Sequence, residues 1–111
     1  MVTQDKFSRF HRIKTDEMWH FYLGDPMVMH LINEHGKYHF YEMSNEPNKE
    51  RFQLLVKKNT WMAASTKGEF SLTGCTLAPG FEYDDFELAT RAHLLENYPH
   101  LEDIILRFTN P

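Results

Sequence analysis

Cysteine is almost missing from this chain: Cys75 stands alone, so no intramolecular disulfide can form. The seven histidines are not interleaved with cysteines as a zinc module requires, and this usage fits a reducing compartment, so residence in the cytoplasm is expected. No apolar run approaches the roughly 20 residues that cross a bilayer. The segment from Met1 to Arg9 also lacks the apolar stretch of an export signal. Neither a membrane nor an export route is therefore expected. Positive charge is in deficit too, with 12 Lys and Arg against 16 Asp and Glu and a net charge of -4. A chain without a broad basic field cannot neutralise a run of phosphates, which argues against a nucleic-acid partner. Internal repeats, low-complexity tracts and linkers are absent as well.

What is present is enough for one domain. The 111 residues, 41% hydrophobic and 14% aromatic, suffice for a single folded core and not for two. From Phe7 to Phe52, aromatic and β-branched runs alternate with turn signals at Asp16, Gly24-Asp25-Pro26, His35-Gly36 and the polar stretch Ser44 to Glu50. Strands are predicted at 7–13, 18–23, 27–32, 37–42, 51–56, 61–65 and 69–77. Seven short strands imply an all-β sandwich or barrel. Gly36 is expected to supply a positive φ in a hairpin turn, and Ala78-Pro79-Gly80 breaks the strand pattern. Beyond Tyr83 the spacing lengthens. Phe86, Leu88, Ala92, Leu94 and Leu95 suit one helix, and Leu101, Ile104, Ile105 and Phe108 a second, with Pro99 between them.

The informative stretch is FSRFHRIKTDEMWHFYLGDP, residues 7–26, in which His11 and Glu17 flank a turn and Gly24 follows after six intervening residues. It resembles the first cupin motif, G-x5-H-x-H, a short gap, then E-x6-G. In that motif alternate strand residues point into a barrel and converge on a metal ion. His11 matches the first histidine and Glu17 the glutamate, whereas Ile13 takes the place of the second histidine. In the counterpart of the second motif, Lys57 to Met62, Lys57 stands for the usual proline, Asn59 for the glycine and Met62 for the remaining ligand. Asn59 tolerates a left-handed turn. A thioether is a poor ligand for the metals that histidine and carboxylate favour, so no cofactor is expected, and a metal-dependent oxygenase stands as a further alternative that would need ligands beyond His11 and Glu17.

Longer segments, SRFHRIKTDEMWHFYLGDP, NTWMAA and TGCTLAPGFEYDDFELATRAHLLENYP, resemble an uncharacterised cupin-like family, a domain of unknown function. The resemblance implies a single jelly-roll domain over residues 1–111 with short C-terminal helices, and the sequence departs from the family in the shortening of the N-terminal strands that normally precede Phe7. It also implies similarity in fold to dTDP-sugar epimerases and seed storage proteins, and a homodimer.

Strand parity assigns the candidates. Glu17, Trp19, Phe21 and Leu23 share the face that the motif turns inward, while Met18, His20 and Tyr22 share the other. His11 and Glu17 are the catalytic or ligand-binding candidates, a pair able to hold a polar ligand or move a proton; the plainer alternative is a buried pair that fixes a turn. Arg9 has the parity of His11 and suits a carboxylate or phosphate, against the alternative of a surface ion pair. Trp19, Phe21, Trp61 and Met62 are candidate walls, or ordinary core. His20 is a further ligand candidate, although parity favours an outward position. Cys75 is read as a buried structural thiol. The expected function is binding of a polar, sugar-like or carboxylate-bearing small molecule. Two alternatives are a metal-independent epimerase or isomerase with His11 as base, and a structural dimeric barrel without catalysis.

Overall fold

The computed structural model describes residues 1–45, 52–77 and 86–111. Nine strands are found among them: β1 (Val2–Thr3), β2 (Ser8–Ile13), β3 (Glu17–Gly24), β4 (Met27–Ile32), β5 (Tyr38–Met43), β6 (Gln53–Val56), β7 (Trp61–Thr66), β8 (Phe70–Leu77) and β9 (Phe86–Leu88). Helix α1 (Arg91–Asn97), a 3-10 turn (Pro99–Leu101) and α2 (Glu102–Arg107) follow. The strands form two antiparallel sheets, in the orders β1-β8-β3-β6 and β5-β4-β7-β2-β9, which pack in the jelly-roll manner expected from the sequence. None of the helices among the described residues is long and apolar enough to cross a membrane.

Alternation within the strands builds two cores. Trp19 and Phe21 of β3, Met27 and Met29 of β4, Leu54 of β6 and Met62 of β7 meet between the sheets. The opposite face of the five-stranded sheet, through Phe10, Ile32, Trp61 and Ala63, packs on Ala89 and on Leu94, Ile105 and Phe108 of the helical segment. Strand β4 is thus apolar on both faces, which is why its sequence, MVMHLI, reads as a continuous run rather than an alternation.

The seven expected strands form, with ends displaced by a residue or two. Two terminal readings are corrected. Val2–Thr3, too short to register as a periodic segment, is a strand that pairs with Ser71 and Phe70 at the edge of the smaller sheet. Phe86 and Leu88, read as the start of a helix, belong to β9 instead. Their spacing of two fits either structure when only two residues carry it; pairing with β2, with Glu87 opposite Arg12 and joined to it by a 2.9 Å ion pair, decides for a strand. The helix starts only at Arg91, where the Thr90 hydroxyl accepts the His93 amide. The turn signals at Ala78-Pro79-Gly80, most of Ser44 to Glu50, and Arg51 at the start of the fifth predicted strand lie outside the described residues.

Among the described residues, three turns have left-handed backbone: Gly24 at φ 104°, Gly36 at φ 77° and Asn59 at φ 63°. Asn59 therefore keeps the turn that a glycine would make, as its side chain allows. At Gly24 a Cβ would lie 2.6 Å from the Phe70 carbonyl oxygen. Gly24→Ala is expected to cost about 1–3 kcal/mol, from backbone strain together with that clash. Urea denaturation checks it, and an unchanged midpoint would mean that the turn relaxes freely.

Candidate functional site

Strand β2 leaves its neighbours with Arg9, His11 and Ile13 on one side and Phe10 and Arg12 on the other. Phe10 enters the helix-side core and the Arg12 guanidinium lies 4.3 Å from the Trp61 ring centroid. The first side faces a cavity of about 540 Å³ lined by residues of both sheets: Arg9, His11 and Ile13 of β2, Glu17 and Trp19 of β3, and Cys75 of β8, closed in further by β9 and Asn110. A volume of this size suits a small molecule.

Glu17 stands in the middle of the smaller sheet, with Val56 on one side and Leu77 on the other. Its central position leaves it only 3% exposed. Burial drives its carboxyl above the usual carboxylate range, and this outweighs the neighbouring Cys75 thiol and His11, which pull the other way. One carboxyl oxygen, Oε2, is buried without any hydrogen-bond partner. The same holds for Nε1 of Trp19, two residues along on the same face.

His11 is held by its own strand. A carbonyl oxygen only accepts, so the 2.8 Å contact between Nδ1 and the Arg9 carbonyl places the proton on Nδ1. In the neutral ring Nε2 is then the acceptor nitrogen. The imidazole also stacks on Phe86, with centroids 5.4 Å apart. The Arg9 guanidinium lies 5.0 Å from the Phe7 centroid, on an exposed residue at the cavity rim.

Of the residues singled out from sequence, then, Arg9, His11, Glu17 and Trp19 come together, and five do not. His20 points to the far side of β3, where its ring contacts Thr76 and Gln53 at 2.9 and 3.2 Å. Phe21, on the inner face as parity requires, is sealed in the core between the sheets. Met62 is opposite His11 in the ladder and belongs to the same core. Trp61, one residue earlier, faces the helices. Leu23 leaves the inner face because the pairing of β3 with β8 slips between Phe21 and Leu23, and it is exposed. A slip of one residue reverses every side chain beyond it.

The residue that sequence reading missed is Cys75. It was expected to be buried and inert. It lies in register with Trp19, opens onto the cavity and is exposed. Burial of the sulfur end first, and then the Glu17 carboxylate beside it, push its thiol up. No histidine adjoins Cys75 in sequence, and its partner is 58 positions away on another strand. Only the pairing of β3 with β8 reveals it.

The metal chemistry of the cupin motif finds a poor donor set. Ile13 lines the cavity at one ligand position, Met62 is withdrawn into the core at another, and no group of three or more His, Cys, Asp or Glu among the described residues is arranged to hold a metal ion.

Comparison with known proteins agrees with this architecture. The solved structure of protein SO0799 from Shewanella oneidensis superposes with a TM-score of 0.91 at 32% identity, covering 98% of this chain and 70% of that one. A hypothetical protein from Leishmania major gives a TM-score of 0.89 at 27% identity, covering 99% and 73%. No curated protein matches. The profile of the family described as Cupin superfamily (DUF985) matches residues 1–89, from the first strand through β9. With that match spanning both sheets and the whole cavity wall but Asn110, the chain belongs to the cupin superfamily, in its domain-of-unknown-function family DUF985.

Proposed function

We propose that this protein binds a small polar molecule in the cavity between its two sheets, against His11, Glu17 and Trp19, with Arg9 at the rim available to a carboxylate or phosphate group. The observation that carries this reading is the pair of unpartnered polar atoms on cavity residues, Glu17 Oε2 and Trp19 Nε1. A buried polar atom without a partner costs about 1–3 kcal/mol. Such a cost is tolerated where a ligand supplies the missing hydrogen bond. Sugars and hydroxy acids carry hydroxyl and carbonyl groups of the required kind, and the apolar part of the wall, Ile13, Leu77 and Leu88, suits their carbon skeleton.

Thermal denaturation against a panel of sugar nucleotides, small carboxylates and divalent metals tests the reading. A ligand present at a hundred times its Kd adds about 2.7 kcal/mol, which for a domain of this size raises Tm by roughly 10 °C. The shift is expected with an organic ligand and is expected to vanish in His11→Ala and Glu17→Ala. A flat response across the panel would sink the reading in favour of a structural barrel, and a response to metals alone would favour a metal enzyme.

A second reading, a metal-independent epimerase or isomerase, draws support from the fixed tautomer of His11. With Nδ1–H tied to the Arg9 carbonyl, Nε2 is ready to take a proton from carbon next to a carbonyl. The homodimer belongs to the proposal as well. The helices cover only the five-stranded sheet, and the outer face of the other carries exposed Tyr22 and Leu55. Light scattering at the mass of two chains is the expected result.

A further inference from the structure

The fold leaves polar groups of the cavity wall without partners, and it leaves them in two places. Glu17 Oε2 and Trp19 Nε1 are buried without a hydrogen bond, on residues 3% and 7% exposed that line the cavity from the inner face of β3. The Arg9 guanidinium is exposed at the rim and stacked on Phe7, and the ion pairs among the described residues use Arg12, His35 and Lys67 instead. Arg9 and Ile13 both line the cavity from β2, four residues or about 13 Å apart at roughly 3.3 Å per residue. Ile13 and Glu17 flank the turn that leads into β3. The cation and the carboxyl therefore stand toward opposite ends of the lining. We infer that the cavity takes a polyol with one terminal anion, a sugar acid or sugar phosphate, whose hydroxyl end meets Glu17 and Trp19 inside and whose carboxylate or phosphate meets Arg9 at the rim. This deepens the reading of the cavity as a ligand site and rests on it.

The orientation follows from what each group can donate and accept. The indole Nε1–H of Trp19 only donates, so the inner end of the ligand must accept. A Glu17 carboxylate only accepts and its acid form also donates, while His11, with its proton on Nδ1, accepts at Nε2. A hydroxyl both donates and accepts, and so meets all three groups in either state of Glu17. An ionised carboxylate or phosphate oxygen turned inward has no proton for Glu17 or His11 and sets a second negative charge against a buried carboxylate. An ammonium has no lone pair for the indole. The anion is matched at Arg9, whose guanidinium binds carboxylate or phosphate through two parallel hydrogen bonds.

The chain's two tryptophans give two indole N–H resonances in a nitrogen-labelled sample. Nε1 of Trp61 is also buried and unpartnered, but it belongs to the helix-side core and serves as the internal control. Titration with gluconate or glucose-6-phosphate is expected to move the Trp19 resonance and leave that of Trp61 in place. Sorbitol, which has the hydroxyls and no charge, and hexanoate, which has the charge and no hydroxyls, are expected to bind about tenfold more weakly or worse, the scale of one charge-assisted hydrogen bond. Arg9→Gln, at an exposed position, is expected to bring gluconate down to the affinity of sorbitol and to leave sorbitol unchanged. Binding of one anion and not the other would support the class and name the source of its charge.

Sorbitol binding as tightly as gluconate, or Arg9→Gln binding gluconate as the wild type does, would overturn the anionic end. Hexanoate binding as tightly as gluconate, or gluconate binding with the Trp19 resonance unmoved, would overturn the hydroxyl end. If neither anion binds while another organic ligand raises Tm in the thermal panel, the class is wrong and the cavity remains a ligand site. A flat thermal panel removes both.

Discussion

Phe108→Ala is expected to lower stability by about 3–5 kcal/mol, the range for removing a fully buried phenylalanine side chain. Phe108 is 1% exposed at the end of α2. Its ring meets the edges of Phe7 and Phe10 at centroid distances of 5.5 and 5.9 Å and lies 4.5 Å from the His30 centroid. Arg107 covers it from outside at 4.9 Å. Few sites join so many elements: β2, β4 and the last helix all lean on one ring. The backbone bond from the Phe10 amide to the Phe108 carbonyl, 2.9 Å, survives the substitution but does not fill the void. Domains are stable by only about 5–15 kcal/mol, so the variant is expected to melt roughly 12–20 °C lower. Calorimetry checks this. A loss below about 1 kcal/mol would mean that the helices contribute little to the fold. Asn110, two residues on, lines the cavity. On the proposed reading of that cavity, affinity for its ligand is therefore expected to fall along with stability.

Acid should expose the second large effect, at His30. This residue is 5% exposed on β4, with ring nitrogens 2.6 Å from the Tyr38 hydroxyl and 3.2 Å from the Ser65 hydroxyl. Burial, helped by the Arg107 charge, lowers its pKa from 6.5 to about 4. The folded protein therefore holds the ring neutral where the unfolded chain would protonate it. The unfolded state binds more protons between those two values, so stability falls as pH drops from about 6.5 to about 4 and is fully present above 6.5. The loss amounts to about 3 kcal/mol, since each tenfold change in proton affinity is worth about 1.4 kcal/mol. Urea denaturation across that window checks it, with His30→Gln as control: a side chain that still hydrogen-bonds but does not titrate there should flatten the slope. Equal slopes would show that His30 stays solvated. Glu17 acts in the opposite sense. Its raised pKa makes the folded state the better proton binder, so its contribution is greatest at low pH and is lost as pH rises through the folded value. Subtracting the His30→Gln curve separates the two.

How far the sequence could be read depended on distance along the chain. The strands with turn residues at both ends, such as Met27–Ile32, were legible almost to the residue, because periodicity and turn chemistry are local. His11 and Glu17 were legible because a short turn separates them, and parity placed Trp19 beside Glu17. The bulge in β3 was not legible, and it turned Leu23 outward. Trp61 and Met62, adjacent in sequence, went to opposite cores, and nothing in the order of residues says which face of β7 receives helices and which receives a sheet.

The sequence by itself determined an all-β domain with helical ends, and the inward face of the strand that begins at Glu17, since both follow from period-two patterning and from turns that each occupy a few residues. The tertiary structure alone decided that Cys75 stands beside Glu17, that His11 faces them from the other sheet, that Phe86 and Leu88 form an edge strand, and that His30 is buried under Phe108. Each of these joins residues far apart in the chain. Strand register and sheet packing fix such contacts through the summed burial of many side chains, and no local stretch of sequence encodes that sum.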